Sequence, residues 1–437
     1  MTSWKPETAP APHHDLQAAG DGSQLLQMPL GDGDEQGMGR TVVGLKMAYG
    51  TNEHPPLKDS PPMLIRDLPR EYIPACPPPS PIDGPGGRKK YGKRLIVVGD
   101  VHGNVGPLKA LLQKIDFNHK DGDHLILAGD MITKGPDSRG VIELAMKVGA
   151  SAVRGNHEDR VLAAAKKMRR ISVDGEGADE DDAGADNGSS EDGEAEISRK
   201  KDHARQVAKS LSRVQLGWLK ELPIILRISQ LPNATSPPFD AGTIVVVHGG
   251  LVPGLPLEKQ DPWAVMNMRT LVYSGKDKSR RAESEGDDSD GYDNDDDDNE
   301  EEEGGGGGEV DIDTPVVPID GRDGEPWSHA WNRYQNHLLP NTQATTLAIY
   351  GHDAKSGLQA DLEVDISEYD PNSSKGNKKK KKKKKKKQKQ KIKEKGLRYA
   401  FGLDSGCGHG RQLSALVIEA VGPEKGGVEW RIEQVEC

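Results

Sequence analysis

The stretch Arg94-Leu-Ile-Val-Val-Gly-Asp100-Val-His102-Gly-Asn104 decides the fold of this chain of 437 residues. A short apolar run that is rich in β-branched residues is typical of a buried strand. The run ends in Gly-Asp-Val-His-Gly, so a carboxylate and an imidazole leave the strand together at a tight turn. Carboxylate oxygens and imidazole nitrogens are ligands of divalent transition metals. The stretch therefore predicts part of a metal site at the end of a buried strand.

Four further apolar runs, which start at residues 124, 152, 243 and 346, also end in oxygen or nitrogen donors. One such ending would mean little, but five endings in one chain form a set. We therefore predict that the donors meet at a single metal centre. The predicted metal ligands are Asp100, His102, Asp130, Asn156, His248 and His352.

The segments between these strands have the periodicity of helices. Residues 107–115 are predicted to form a helix that covers the sheet, because their leucines and Ile115 are spaced three and four apart. Alternation of strands and helices is typical of the α/β class. Further helices are predicted over residues 141–148, 158–168 and 261–269. Between residues 198 and 222 an apolar stripe predicts another helix, and its members are Val207, Leu211, Val214 and Trp218.

The composition predicts one folded domain diluted by low-complexity segments, because only 33% of the residues are hydrophobic and 4% are aromatic. Residues 1–92 are expected to be a disordered leader, apart from a docking segment near residues 64–73. The domain is expected to occupy residues 93–437 and to close with a pair of strands in residues 399–404 and 412–419. Metal-type endings lie on both sides of three low-complexity insertions, so these insertions are predicted to be surface loops. They span residues 172–196, 276–314 and 371–395.

Charge and cysteine content give an expectation about location. The net charge of −11 says little about partners, because acidic and basic blocks are segregated along the chain. Cys76, Cys407 and Cys437 are odd in number and widely spaced, which argues against a disulfide framework and for a reducing compartment. No apolar run approaches the roughly 18 residues of a membrane helix, and the first residues lack the apolar segment of a secretory signal. We therefore expect a cytoplasmic protein.

The spacing of the donors supports a site for two metal ions. Asp100 and His102 share one turn, and Asp130 arrives from the neighbouring strand. A carboxylate has two oxygens, so Asp130 is suited to bridge two cations roughly 3.5 to 4 Å apart. Such a pair can bind a phosphoryl group, generate a metal-bound hydroxide and stabilise an in-line displacement. The predicted reaction is hydrolysis of a phosphate bond.

Taken together, the motifs Gly99-Asp100-Val-His102-Gly, Gly129-Asp130, Gly155-Asn156-His157-Glu158, His248-Gly-Gly and Gly351-His352 resemble the ordered motifs of the calcineurin-like metallophosphoesterases. The similarity points to the branch of phosphoprotein phosphatases and bacterial diadenosine tetraphosphate hydrolases. The resemblance implies a four-layer α/β/β/α sandwich with two divalent metal ions held by the six predicted ligands. It also implies that His157, which is not a ligand in the family, protonates the leaving oxygen.

One departure from the family's pattern bears on the substrate. Protein phosphatases have an Asp-Arg pair after the bridging aspartate, whereas this chain has Thr133-Lys134. In this respect it resembles the eukaryotic ApaH-like phosphatases, which include fungal-type endopolyphosphatases and cap-cleaving enzymes. Thr133 removes the carboxylate that would orient His157 and raise its pKa. A weaker proton donor is tolerable when the leaving group is itself a phosphate, which predicts a preference for anhydride bonds.

Three cationic residues are candidates for substrate binding. Lys134 can neutralise a phosphate as a point charge, although it cannot form the forked contact of an arginine. Arg154 could bind phosphate or form an ion pair with Glu158 or Asp159, and Arg333 could supply the missing guanidinium. Six histidines outside the motifs are expected to be surface or structural: His119, His124, His203, His329, His337 and His409. Of these, His329 and His409 are candidates for the rim of the site.

An unbroken lysine run begins at Lys378 and ends at Lys387. It could be a solvated insertion or a patch similar to a nuclear localisation signal, which makes a nuclear location an alternative. It could also tether a polyanion such as polyphosphate or RNA, and binding of that kind would weaken steeply with salt.

The predicted function is hydrolysis of phosphoanhydride bonds by an endopolyphosphatase-like enzyme. Within the same chemistry the alternatives are a dinucleoside polyphosphate hydrolase, an mRNA decapping enzyme and a Ser/Thr protein phosphatase. An alternative of another class is a non-catalytic protein that binds polyanions. Mixed His, Asp and Asn ligands suit Zn, Mn, Fe or Co, so the sequence leaves the metal open.

Overall fold

The computed structural model describes residues 64–75, 93–174, 191–273, 316–338, 344–369, 393–422 and 425–437. Most of the predicted leader, the central part of each predicted insertion and the lysine run lie outside these residues. Among the described helices, none combines the length and the apolar character that crossing a membrane requires.

Fifteen strands and seven α-helices make up the described part of the chain. The strands are β1 Ile65–Asp67, β2 Arg94–Val98, β3 His124–Leu127, β4 Ser151–Ala152, β5 Ile225–Ser229, β6 Thr243–Val246, β7 Thr270–Tyr273, β8 Val316–Ile319, β9 Glu325–Pro326, β10 Thr346–Tyr350, β11 Glu363–Asp365, β12 Lys395–Leu397, β13 Ala400–Gly402, β14 Gln412–Ala420 and β15 Val428–Glu436. The helices are α1 Val105–Lys114, α2 Ser138–Lys147, α3 Asn156–Asp174, α4 Glu191–Ser210, α5 Arg213–Lys220, α6 Pro262–Asn267 and α7 Trp327–His337.

Two five-stranded sheets form the centre of the fold. The first sheet has the order β15-β14-β2-β3-β4, in which β2, β3 and β4 are parallel and β14 is antiparallel to β2. The second has the order β1-β5-β6-β10-β13, in which β6, β10 and β13 are parallel. Two small sheets, β8-β7-β9 and β11-β12, lie outside this pair.

Side-chain alternation along each central strand distributes the apolar residues over three hydrophobic clusters, which lie between successive layers of the fold. Successive residues of a strand point to opposite faces, so Ile96 packs under the helices α1 and α2 while Leu95 packs between the two sheets. In β6, Ile244 faces the first sheet, whereas Val245 packs on the other side with residues of α6 and α7. The layers therefore follow the order helix, sheet, sheet, helix, which confirms the predicted α/β/β/α sandwich.

Most predicted helices are present. The prediction of one continuous helix from the apolar stripe between residues 198 and 222 is wrong. The helix is interrupted between α4 and α5. There the Ser212 hydroxyl accepts from the Gln215 N–H, and the Gln215 side chain accepts from the Ser212 N–H. This capping box starts a new helix with a different buried face. Val214 is consequently 69% exposed instead of buried.

Three boundaries differ from those predicted. Helix α3 extends to Asp174 and α4 begins at Glu191, so the segment between them is shorter at both ends than residues 172–196. Strand β12 begins at Lys395, inside the third predicted insertion. Regular structure continues into these stretches because α3 and α4 contact each other and β12 pairs with β11.

The predicted final strand pair is also corrected. The two strands are present as β13 and β14, but they lie in different sheets. Strand β14 pairs instead with β2 and with β15, in register from Gln412 opposite Glu436 to Ala420 opposite Val428. Adjacent strands in sequence need not pair, because the loop between them can cross from one layer of a sandwich to the other.

The predicted docking segment precedes β2 in the sequence and packs as part of the fold. Strand β1 pairs in parallel with β5, and Leu68 and Ile73 are buried between the two sheets. The Tyr72 ring stacks on the His124 ring with centroids 3.8 Å apart. This segment, residues 64–75, is named the strap below.

Cys407 and Cys437 form a disulfide. This disulfide corrects the inference drawn from the number and spacing of the cysteines, because residues far apart in sequence are brought together when β14 and β15 form a hairpin. The cysteine content therefore gives no support for a reducing compartment, and the cytoplasmic location stays a prediction.

Candidate metal centre

The predicted ligands follow strands of both sheets and meet at one edge. Asp100 and His102 follow β2, Asp130 follows β3, His248 follows β6 and His352 follows β10. The carboxyl ends of parallel strands lie at the same edge of a sheet, and the two sheets face each other, so these endings converge. Asn156, the first residue of α3, reaches the same place from β4.

The turns that present these donors have an unusual backbone. His102, Asp130 and His352 have φ angles of 48°, 47° and 70°, a region that residues with a side chain rarely adopt. Glycine precedes Asp130 and His352, and a Cβ on Gly351 would collide with the Asp100 carboxylate. The glycines before Asp130 and His352 are therefore required because a neighbouring donor approaches the backbone closely.

Distances between the side chains place Asp130 at the middle of the cluster. Its Oδ1 lies 3.2 Å from His248 Nε2, while its Oδ2 lies 3.7 Å from His102 Nε2 and 3.8 Å from His157 Nε2. His102 Nε2 also lies 3.8 Å from Asp100 Oδ2. The two oxygens of Asp130 thus face different groups of imidazoles.

The remaining donors close the cluster from the second sheet. His352 Nδ1 lies 3.2 Å from His248 Nε2, and Asn156 Oδ1 lies 3.3 Å from the same nitrogen. The backbone N–H of His352 donates to Asp100 Oδ1 at 3.0 Å. The structure therefore brings all six predicted ligands together, and their role in metal binding is a proposal that this geometry supports.

The chemistry of the cluster fits divalent cations. Two groups have one ligand atom per residue within 4.8 Å of one another, and Asp130 belongs to both groups. The first contains His102 and His157, and the second contains His248 and His352. The Lys134 ammonium lies 2.8 Å from His102 Nε2, so a positive charge already faces this ligand atom. His157, which is not a ligand by the family resemblance, thus lies within reach of the same cluster.

Glu158 supports the cluster from behind. Its carboxylate accepts from the backbone N–H groups of Asp130, Met131, Ile132 and Gly155 at 2.8 to 3.3 Å. It therefore holds the two turns that present Asp130 and Asn156 in a fixed relation. Glu158 is fully buried and does not pair with Arg154, which was one of the predicted partners.

His157 is oriented by a hydroxyl group instead of a carboxylate. Thr133 Oγ1 lies 2.5 Å from His157 Nδ1, and the His157 N–H of the backbone donates to Asp130 Oδ1 at 3.0 Å. Burial lowers the pKa of His157 to about 3. Thr133 consequently fixes the ring, as an aspartate would, but supplies no negative charge to stabilise an imidazolium.

Charges in the cluster act on one another strongly. Burial raises the pKa of Asp100, and the neighbouring Asp404 carboxylate raises it further. Burial also opposes ionisation of Asp130, yet the imidazoles of His248 and His157 hold its pKa well below the usual range. Burial lowers the pKa of His248, but Asp130 outweighs burial and raises it to about 10. A buried cluster of this kind gains stability from cations that replace the shared protons.

Asp404 was not predicted as a site residue, although the signal was present. It follows β13 as the other donors follow their strands, and β13 is parallel to β10. Its carboxylate accepts from the protonated Asp100 carboxyl and from the Gly406 N–H, the latter at 3.0 Å. Asp404 therefore supports Asp100 from the side of the disulfide-bonded loop.

The cluster forms the floor of a cavity of about 550 Å³. Lys134 and His409 both line this cavity, and substrate binding by Lys134 stays a prediction. Three further cationic residues line the cavity, namely Arg269, Arg322 and Lys355. They were not predicted because none of them belongs to one of the sequence motifs.

Arg154 and Arg333 do not line the cavity, which corrects their prediction as substrate-binding residues. Arg154 donates to the Lys220 carbonyl at 2.5 Å and pairs with Asp159 at 3.5 Å. Arg333 binds both oxygens of the buried Glu325 at 2.6 and 3.0 Å. Both guanidiniums are therefore structural, because the two terminal nitrogens of each one bond within the fold, while the buried Nε of Arg154 has no hydrogen-bond partner among the described residues.

This fold, together with a buried cluster of carboxylates and imidazoles below an open cavity, defines a metallophosphoesterase. The model of the family described as calcineurin-like phosphoesterase matches residues 93–356, which is more than half of the chain. The chain belongs to the calcineurin-like phosphoesterase family. The predicted resemblance is confirmed, as is the class of metal-dependent phosphohydrolase at the level of the family.

Several curated proteins are similar to parts of the chain. The symmetrical bis(5'-nucleosyl)-tetraphosphatase of Wigglesworthia glossinidia brevipalpis is 28% identical over 36% of this chain and 44% of its own length. The protein of the same name from Hamiltonella defensa is 43% identical over 17% of this chain and 27% of its own length. Serine/threonine-protein phosphatase 1 of Salmonella typhimurium is 40% identical over 17% of this chain and 33% of its own length. The matches thus span less than half of these relatives.

A solved structure described as a putative diadenosine tetraphosphatase aligns with 86% of this chain and 98% of its own, with 22% identity and a TM-score of 0.45.

Proposed function

We propose that this protein hydrolyses phosphoanhydride bonds in inorganic polyphosphate or in nucleoside polyphosphates. The reaction would take place in the cavity above Asp130. An endopolyphosphatase-like activity is our first candidate. Hydrolysis of dinucleoside polyphosphates is the second, and the relatives whose names describe tetraphosphatases favour it.

The observation that carries this proposal is the contact between Thr133 Oγ1 and His157 Nδ1. A neutral hydroxyl orients the imidazole but gives it less support as a proton donor than a carboxylate would. The alkoxide that leaves an alkyl phosphomonoester depends on protonation, whereas the phosphate that leaves an anhydride needs little. An active site with this pairing is therefore better suited to anhydrides than to phosphoserine.

The residues of the floor would hold two divalent ions. The ligands would be Asp100, His102, Asp130, Asn156, His248 and His352, and Zn, Mn, Fe and Co all suit this donor set. When bound, such ions activate water and neutralise phosphate charge. The number and identity of the ions are part of the proposal.

The remaining residues of the cavity would bind and orient the substrate. Arg269 donates to the carbonyl oxygens of Asp320 at 3.0 Å and of His352 at 3.4 Å, so its guanidinium is fixed at the edge of the floor. A fixed guanidinium can bind two phosphate oxygens at once, whereas Lys134 contributes a point charge. His157 Nε2, which faces Asp130, would give a proton to the leaving oxygen.

Decapping also cleaves an anhydride bond and differs from the first two candidates in its substrate, whereas a Ser/Thr phosphatase cleaves an alkyl phosphomonoester and differs in the leaving group. A non-catalytic polyanion-binding protein is the alternative of another class. The close packing of six donors and His157 disfavours it, because a binding surface for polyanions does not need buried carboxylates below its cations.

One panel of substrates tests the proposal. Purified protein would be assayed with Mn, Zn, Fe and Co on tripolyphosphate, diadenosine tetraphosphate, capped RNA and a phosphoserine peptide. We expect kcat/KM for the best anhydride to exceed that for the peptide by at least about 100-fold, the scale of general acid catalysis. Equal efficiency on the peptide would contradict the proposal. Protein that binds no metal and hydrolyses none of the four would favour the polyanion-binding alternative.

A further inference from the structure

The turn that follows His352 carries a lysine at the rim of the cavity. The N–H and hydroxyl of Ser356 donate to the Asp353 carboxylate at 3.4 and 2.6 Å, which closes the turn. Lys355 lies between these two residues and lines the cavity. Its position three residues after a donor of the floor keeps it close to the cluster.

Two arginines hold this turn from opposite sides. Arg322, in the loop between β8 and β9, forms an ion pair with Asp353. Arg411, which precedes β14, donates to the Ala354 carbonyl oxygen. The backbone at Lys355 is thus fixed by contacts with two separate parts of the fold, so less conformational entropy is lost when its side chain binds a ligand.

The charge of Lys355 is available to a ligand. Asp353 neutralises the charge of Arg322, although Arg322 lines the same cavity. Within the described residues, no carboxylate lies within ion-pair distance of the exposed Lys355 ammonium. Lys355 is therefore a cation on a fixed turn that faces the cavity without an ion pair among the described residues, although Asp320 and Asp323 line the same cavity.

We propose that Lys355 binds the phosphate adjacent to the one that contacts the floor, and that it selects substrates with at least two linked phosphates. The inference rests on the proposed function. The donors of the floor are buried, with Asp130 only 2% exposed, whereas Lys355 is on the rim. A single phosphate on the floor has its charge neutralised there, and only a chain that continues outward reaches the lysine. This arrangement distinguishes an anhydride from a monoester by charge.

The test compares two ligands that cannot be hydrolysed. Methylphosphonate has one phosphonate group, and methylenediphosphonate has two that are joined through carbon. Dissociation constants would be measured calorimetrically for the metal-supplemented wild-type protein, for Lys355→Gln and for Lys109→Gln. Lys109 is an exposed residue of α1 that does not line the cavity, so its substitution removes the same charge elsewhere. Because both variants are measured in the same metal-containing buffer, Lys109→Gln also controls for binding of free metal by methylenediphosphonate.

We expect Lys355→Gln to weaken methylenediphosphonate binding about tenfold, the scale of one charge-assisted hydrogen bond, and to leave methylphosphonate binding unchanged. Lys109→Gln should change neither. Equal weakening of both ligands, or no weakening, overturns the inference. It is also overturned if the wild-type protein binds the two phosphonates equally, whether or not it hydrolyses anhydrides. Failure of the proposed function appears separately, as absence of anhydride hydrolysis.

Discussion

At the scale of single residues, Thr133 and His157 have the largest consequence for the chemistry. In the family pattern an aspartate is expected next to this histidine, but here a hydroxyl contacts Nδ1 at 2.5 Å. The substitution keeps the ring in place and changes the charge beside it. The choice of leaving group therefore depends on one side chain behind the imidazole, while the donors of the floor stay the same.

Replacing Thr133 with aspartate should shift the substrate preference. We expect Thr133→Asp to raise kcat/KM for a phosphoserine peptide relative to tripolyphosphate by about tenfold, because a carboxylate stabilises the protonated imidazole. Thr133→Val, which has a similar shape and lacks the hydroxyl, serves as the control and should lower both activities. An unchanged ratio in Thr133→Asp would show that this residue does not set the preference.

At the scale of elements, the strap and the final hairpin complete the sandwich outside its central strands. The strap brings Tyr72 against His124, whose Nε2 lies 2.9 Å from the Ser151 hydroxyl. The hairpin of β14 and β15 brings Cys437 to Cys407 in the loop that also contains Asp404. Each contact joins an added element to a loop or strand that leads to the metal centre.

The contact between the strap and β3 should make stability depend on pH. Burial lowers the pKa of His124 to about 4, so the folded protein favours the neutral ring. This stabilisation is complete above the unfolded pKa of about 6.5 and is lost as the pH falls from there toward 4. Between pH 7.5 and 5, the wild type should lose about 2 kcal/mol more unfolding free energy than His124→Gln.

Chemical denaturation at both pH values measures this difference. The other titrating groups are common to the two proteins, so their contributions cancel in the comparison. Equal losses in the wild type and in His124→Gln would mean that His124 is not held in its neutral form.

The disulfide should contribute to stability because it closes a loop whose ends are 30 residues apart. The chain-entropy relation gives about 3.6 kcal/mol for a loop of this length. We expect Cys437→Ser to lower the unfolding free energy by up to this amount. Dithiothreitol should reduce the stability of the wild type to that of Cys437→Ser. A wild type insensitive to the reductant would contradict the pairing.

At the scale of the whole molecule, the donors come from both sheets, so the site exists only when the sandwich is assembled. His102 and Asp130 belong to the first sheet, and His248 and His352 belong to the second. Metal ions that bind across this edge are expected to stabilise the folded protein by mass action. Two of the low-complexity segments, residues 172–196 and 276–314, lie between strands that carry these donors, and the third follows β11.

The lysine run is proposed to attract long polyanionic substrates to the cavity, because it follows His352 in the chain. Deleting residues 378–387 should raise KM for polyphosphate of about 100 units at least fivefold, while KM for tripolyphosphate stays the same. Added salt should remove the difference. Replacing the run with an equal number of serines keeps the length of the segment and serves as the control. The same change in KM for both substrates would exclude a tether.

The sequence by itself determined which donors meet and in what kind of fold. Strand and turn signals are local, since alternation of apolar residues and a Gly-Asp or Gly-His ending act within a few positions. Five such endings in parallel strands can converge only at a shared edge, so the floor of the site could be predicted without coordinates. Asp404 carried the same signal and was missed because its strand was assigned to a terminal pair.

Only the tertiary structure decided which cations face the cavity and which serve the fold. Arg333 and Lys355 are both residues of a kind that is usually exposed. In the structure Arg333 pairs with the buried Glu325, whereas Lys355 lines the cavity. The structure also decided the partner of β14, the end of α4 and the pairing of Cys407 with Cys437. These features depend on contacts between segments far apart in the chain, and no local pattern specifies where a long side chain or a loop finds its partner.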